Sequence, residues 1–256
     1  MGNGRMLLAT DITQTVKLQK MRRDFVANVS HELRTPLTVL KGYLEMFDNK
    51  TPPEQWQNAL PVMRQQADRM SDMLHELLTL SRLETGEKPL LESPTNVGQI
   101  LADIIVDAKQ LTEYDGHDIT LNLESDQWLI ADMEEIRSAV SNLVFNAVKY
   151  TPSDSQITVA WTVNEQQGII SVKDNGDGIA DHHLERLTER FYRIDSGRSQ
   201  AQGGTGLGLA IVKHVLQRHE ATLAITSELD AGSTFDCCFP LHSIINKPDP
   251  KNLAIS

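Results

Sequence analysis

From Val16 to Phe47 the apolar residues recur at steps of three and four: Val26, Val29, Leu33, Leu37, Leu40, Leu44 and Phe47 form one stripe. That spacing predicts a long amphipathic helix. Asp48-Asn-Lys-Thr-Pro-Pro53 ends it, because two consecutive prolines cannot continue a helix. A second helix is expected from near Glu54, where Trp56, Leu60, Met63, Ala67, Met70, Leu74 and Leu77 alternate steps of four and three. It continues to about Leu83 and stops at Thr85-Gly86. Two helices of roughly 30 residues joined by a short turn make an antiparallel hairpin. Alone, such a hairpin leaves much of its stripe wet. A second copy would close a four-helix bundle, so a two-fold homodimer is expected.

After a linker from Glu87 to Pro94 the pattern changes. Val97 to Leu111 reads as helix, Asp118 to Leu123 and Trp128 to Ala131 as strands, and Met133 to Tyr150 as helix. Gln156 to Val163 and Gly168 to Lys173 read as a hairpin-like pair, Gly206 to Arg218 as helix, and Thr222 to Thr226 and Ser233 to Phe239 as strands. This predicts a mixed sheet with helices on one side, an α/β sandwich. The stretch beyond Pro240, with Pro248 and Pro250, is expected to be a disordered tail over 241–256.

On the first helix His31 lies two positions after Val29, about 200° round the axis, and so faces away from the stripe. Glu32 is beside it, Thr35 shares its face, and Pro36 should bend the helix there. A neutral imidazole keeps one nitrogen free for nucleophilic attack. A carboxylate such as Glu32 can orient the other nitrogen and take its proton.

Composition narrows the choices. With 256 residues, 40% of them hydrophobic, there is material for one large or two ordinary domains with packed cores. A formal charge of −11 argues against a nucleic-acid-binding surface. Arg186, Arg190, Arg193 and Arg198 nevertheless form a basic stretch, interrupted by Glu189 and Asp195. No apolar run is long enough to span a membrane, and the opening Met-Gly-Asn-Gly-Arg lacks the apolar segment expected of a signal peptide. Cys237 and Cys238, adjacent in a strand, point to a reducing compartment, most simply the cytoplasm. His182 and His183 could contribute to a metal site, although adjacent histidines in a polar segment more often face solvent.

Three polar motifs follow in order. Asn142, Asn146 and Lys149 lie along one helical face with Tyr150 at its end. Asp174-Asn-Gly-Asp-Gly178 follows a strand, its glycines permitting a tight turn. Gly203-Gly-Thr-Gly-Leu-Gly-Leu209 opens a helix whose free N–H groups suit phosphate. Each alone is a weak signal; the third lacks the lysine of a P-loop.

Together they resemble the N, DxGxG and GxGxG boxes of the ATP-binding domain shared by histidine kinases, gyrase, Hsp90 and MutL. Ser30-His-Glu-Leu-Arg-Thr-Pro-Leu37 resembles the phospho-acceptor box that, within that group, the sensor histidine kinases add on a preceding hairpin. The resemblance implies an α plus α/β organisation, with residues 16–88 as dimerisation and phosphotransfer domain and 95–240 as catalytic ATP-binding domain. Arg5 to Thr13 resembles the exit of a PAS sensor domain, making 1–15 the remnant of an input module. A cytoplasmic piece of a protein anchored in the bacterial inner membrane is then expected.

By position the resemblance also implies roles. His31 would be the phospho-acceptor, with Glu32 and Thr35 in attendance. Asn146 would ligate Mg²⁺ and Asn142 support the nucleotide. Lys149 would meet phosphate and Tyr150 pack on the base, while Asp174 would accept from the adenine amino group and Gly176 and Gly178 leave room for the ring. Residues from about Arg193 to Gly203 would be a lid anchored by Phe191, with Gly204, Thr205, Gly206, Leu207 and Gly208 around the phosphates. Thr188, where the family commonly has Phe, and His219-Glu-Ala, where His-Gly-Gly is usual, narrow the resemblance to its phosphate-regulon branch. The implied partner is a response-regulator receiver domain of that regulon. Two other classes stay open: a binding module that senses ATP or docks a regulator without catalysis, and a gyrase- or Hsp90-like ATPase.

Overall fold

The computed structural model describes residues 13–47, 52–86, 89–111, 116–194 and 204–248. The PAS-like strand expected before Thr13 lies outside them, as does the turn at 48–51. The chain divides into two compact units, residues 1–72 and 73–256.

The first unit holds helix α1, Thr13–Met46, and the first part of helix α2, Pro53–Thr85. α1 runs unbroken through Pro36, which is buried. Where the hairpin closes, the rings of Phe47 and Trp56 pack tilted at 37° with centroids 4.3 Å apart. The apolar stripe of α1 is covered along one edge: Val29, Leu33, Leu40 and Phe47 are partly buried, whereas Val26, Leu37 and Leu44 are more than half exposed. α2 repeats the division. Trp56, Met63 and Met70 are partly covered, while Leu60 and Ala67, each four residues after a covered position, face solvent. A stripe this wide exceeds what one partner helix can cover.

The second unit is an α/β sandwich. Its five-stranded sheet runs in the order β2 (Asp118–Leu123), β4 (Gln156–Val163), β5 (Gln167–Asp174), β7 (Gly232–Pro240), β6 (Thr222–Glu228). β2 and β4 are parallel and the other pairs antiparallel. Alternate residues of the central strands, among them Ile157, Val159, Trp161, Ile170 and Val172, are buried, as period-two patterning requires. Against them lie α3 (Val97–Leu111), α4 (Met133–Tyr150) and, beyond the four-residue α5 (Asp181–Leu184), α6 (Gly208–Arg218). Leu80 of α2 is buried in the same core, with Leu77 and Leu83 packed beside it.

Two expectations are corrected. The stretch read as linker contains β1, Ser93–Thr95, paired antiparallel with β3, Trp128–Ala131. The tail is ordered to residue 248: Leu241–Ser243 form a 3₁₀ turn, and β8, Ile244–Ile245, pairs with the other edge of β3. These strands form a separate three-stranded sheet, so β3 does not join the main one. Strands of two or three residues are too short to show periodicity, and Pro94 is tolerated because β1 is an edge.

Candidate functional site

On α1, His31 is exposed, and its ring has no hydrogen-bond partner among the described residues. Thr35 Oγ1 donates weakly to the His31 carbonyl at 3.5 Å. Glu32 is partly buried, and its Oε2 lies 3.5 Å from Arg69 Nη2 of α2. The expected face, histidine with acid and hydroxyl on a wet helix, is present; Arg69 is an addition that local sequence gave no reason to choose.

In the second unit α4 and α6 carry the polar motifs and are tied together at their far ends. Asp132 caps α4, its Oδ1 accepting from Glu134 N–H at 3.1 Å and Glu135 N–H at 3.2 Å. The Asp132 N–H donates to His219 Nε2 at 3.0 Å, and His219 Nδ1 donates to the Val215 carbonyl at 2.8 Å. Those two bonds require neutral His219 with its proton on Nδ1. The adjacent Arg218 pairs with Glu135 at 3.1 Å.

At the near end Asn142 donates to the Ser138 carbonyl at 2.9 Å and presents Oδ1 to Gly208, where a Cβ would meet it at 2.5 Å. Asn146, one turn on and partly exposed, has no hydrogen-bond partner among the described residues. A Cβ on Gly204 would collide with the Tyr150 hydroxyl and come 3.3 Å from Lys149 Nζ. Burial pushes the Tyr150 hydroxyl above its ordinary pKa, with Arg193 pulling it down and Glu76 adding to the rise. Phe191 has a left-handed backbone (φ 63°), and its N–H donates to the Gly206 carbonyl at 2.8 Å. That bond joins both ends of the expected lid, most of which (195–203) lies outside the described residues.

Asp174 ends β5 and is 7% exposed. Both its recorded donors, Gly176 N–H at 2.9 Å and Ser233 N–H at 3.3 Å, fall on Oδ1. The glycines of this loop serve the protein's own packing. A Cβ at Gly176 would meet Thr151 Cγ2 at 2.7 Å, and one at Gly178 (φ 68°) would strike the Glu228 carbonyl. Thr151 and the turn after β6 thus lie close against these two glycines, an approach their lack of a side chain permits.

The basic stretch is largely paired: Arg186 lies 3.4 Å from Glu189, and Arg190 meets Glu84. His183 is more than a solvated residue, since Nδ1 lies 2.6 Å from the Tyr192 hydroxyl, and the Arg186 guanidinium lies over the Tyr192 ring, 4.1 Å from its centroid. Among the described residues no cluster of His, Cys, Asp or Glu could hold a metal, and no helix is long and apolar enough to cross a membrane. Cys237 and Cys238 are free thiols.

The acceptor helix and the glycine-framed cradle are those of the sensor histidine kinases, the family to which this chain belongs. Residues 21–86 match the His Kinase A (phospho-acceptor) domain, and residues 131–243 match the histidine kinase-, DNA gyrase B- and HSP90-like ATPase family. Among curated proteins it is similar to the phosphate regulon sensor protein PhoR of Pseudomonas aeruginosa, 51% identical over 91% of this chain and 53% of that protein. PhoR of Haemophilus influenzae is 37% identical over 94% of this chain and 57% of the protein. The chain thus spans about half the length of these relatives. The phosphate-regulon resemblance read from Thr188 and His219-Glu-Ala agrees with them. The fold is similar to that of Acinetobacter baumannii histidine kinase AdeS (TM-score 0.66, 23% identity, 82% of this chain and 97% of that one). It is also similar to histidine kinase ThkA crystallised with response regulator TrrA (TM-score 0.69, 18% identity, 91% and 67%).

Proposed function

We propose that this chain is the kinase core of a homodimeric phosphate-regulon sensor, transferring the γ-phosphoryl of ATP to His31 and then to an aspartate of a PhoB-like receiver domain. The observation that carries it is the solvent-facing, unpartnered imidazole of His31 in a chain that also holds a nucleotide cradle.

A free ring nitrogen of His31 attacks the γ-phosphorus. The new P–N bond forms as the bond to the bridging β,γ-oxygen breaks, ADP leaves, and the proton on the other ring nitrogen passes to Glu32. A receiver carboxylate oxygen then bonds the phosphorus as the P–N bond breaks, and His31 leaves as neutral imidazole, retaking the proton from Glu32. Asp174 Oδ2, on the oxygen opposite its backbone donors, accepts from the adenine amino group. Lys149 and the N–H groups at the start of α6 bind phosphate oxygens. Phe191 and Arg193 hold the lid's first residues, while Thr205 and Leu207 complete the phosphate loop between Gly204, Gly206 and Gly208. The free amide oxygen of Asn146 would hold Mg²⁺, which favours oxygen ligands and would neutralise phosphate charge there. The exposed edges of both helices, Val26, Leu37, Leu44 and Leu60, support closure of the bundle by a second copy.

Incubation with γ-labelled ATP tests the reading. Acid-labile, base-stable label that vanishes in His31→Ala is expected. Phosphate release that survives His31→Ala would instead identify a gyrase- or Hsp90-like ATPase, and nucleotide binding without label a binding module.

A further inference from the structure

Thr205 stands between Gly204 and Gly206 in the segment that leads into α6, and it is buried. Its hydroxyl accepts from Leu207 N–H at 3.2 Å and donates to Glu76 Oε2. Glu76 comes from α2, whose last three turns belong to the second unit through Leu77, Leu80 and Leu83. Two turns further along, Glu84 pairs with Arg190 and lies 3.3 Å from His214 Nε2. The same helix thus puts one carboxylate on the phosphate loop and another just before Phe191. Anions are favoured where a glycine-rich loop opens a helix, and here the anion is the protein's own. Tyr150, whose hydroxyl flanks Gly204, feels the charges of both Glu76 and Arg193.

We propose that Glu76 is a resident substitute for the phosphate end of the nucleotide, so that a nucleoside triphosphate binds by displacing its carboxylate from Thr205. This rests on the nucleotide reading above. A γ-phosphate and a carboxylate repel when both approach the Thr205 hydroxyl in a partly desolvated site. Expelling Glu76 removes that repulsion and frees the hydroxyl to donate to phosphate. The Glu76–Thr205 contact and the triphosphate then weaken each other by the same factor. A nucleoside has no phosphate to compete with Glu76, so its affinity is independent of the contact.

The test is equilibrium binding of adenosine, ADP and a non-hydrolysable ATP analogue, each with Mg²⁺, to the full chain, Glu76→Gln and Glu76→Ala. Both variants are expected to bind the triphosphate roughly three- to tenfold tighter, ADP with a smaller gain, and adenosine unchanged. Wild-type binding of the triphosphate with no gain in either variant overturns the proposal. An equal gain for all three ligands, or loss of all three, does so too, because Glu76 would then be a structural residue. If no form binds any adenine ligand, the nucleotide reading fails and takes this inference with it.

Discussion

Arg69 of α2 holds Glu32, the carboxylate beside His31, with 3.5 Å between Nη2 and Oε2. Both side chains are mostly covered, 16% and 26% exposed, so the pair is less screened than an ordinary surface bridge. It fixes the acid's direction on a helix face that is otherwise wet. Arg69→Gln should therefore slow His31 labelling about three- to tenfold while leaving the KM for ATP unchanged, and lower stability by about 1 kcal/mol. Labelling rates over a range of ATP concentrations, with denaturant unfolding, check both. An altered KM at full rate would show that Arg69 acts elsewhere.

Thr35 is exposed, and its hydroxyl makes one long bond, 3.5 Å to the His31 carbonyl. We propose that this weakly engaged hydroxyl positions a water against a phosphorylated receiver, giving the kinase core a phosphatase action as well. Thr35→Ala should keep autophosphorylation within about twofold and lose at least tenfold in receiver dephosphorylation, the range expected when one positioning hydrogen bond is removed. Parallel loss of both activities would count against this division of labour.

The long elements were legible because their periodicity spans several turns. Val97–Leu111, Asp118–Leu123, Trp128–Ala131 and Met133–Tyr150 have the bounds the pattern predicts. What escaped was short or distant in sequence. β1 and β8 exist because β3 offers two free edges, which no window of a few residues reveals. Glu76 meets Thr205 across 129 positions, and neither the helical pattern around Glu76 nor the glycine motif around Thr205 pairs the two. Gly178 of the Asp174 loop is required by the backbone of Glu228, a neighbour that the loop's own sequence does not name. A motif marks where a close approach occurs without saying which partner makes it.

Glu220 occupies a place that chemistry would give to glycine. It follows the end of α6 with φ 55°, and the next residue, Ala221, donates back to the Leu216 carbonyl at 2.8 Å. That is a Schellman ending, whose left-handed position costs a residue with a Cβ about 1 kcal/mol. The Glu220 carboxylate has a 3.5 Å contact with His242, but both side chains are more than two-thirds exposed, so little is lost with it. Glu220→Gly should raise Tm by roughly 2–4 °C with nucleotide binding unchanged. A fall in Tm would mean that the surface pair outweighs backbone strain.

Asp174 separates stability from binding. Burial pushes its carboxyl above the ordinary 3.8, against the downward pull of the Gly176 and Ser233 amides. For an acid raised in the folded state, the unfolded chain releases its proton first. Stability is therefore unaffected below 3.8, declines as pH rises through the folded value, and carries a constant penalty above it. Asp174→Asn retains an oxygen for the two backbone donors and removes that penalty. The variant should equal or exceed wild type in Tm at neutral pH, with the difference vanishing toward pH 3.8. Its new amide group would face the adenine amino group donor to donor, leaving both unpaired, so nucleotide affinity should fall by roughly ten- to a hundredfold. Thermal unfolding across pH, paired with nucleotide titration, reads both effects; a variant that lost stability and binding together would make Asp174 a structural acid instead of the adenine contact.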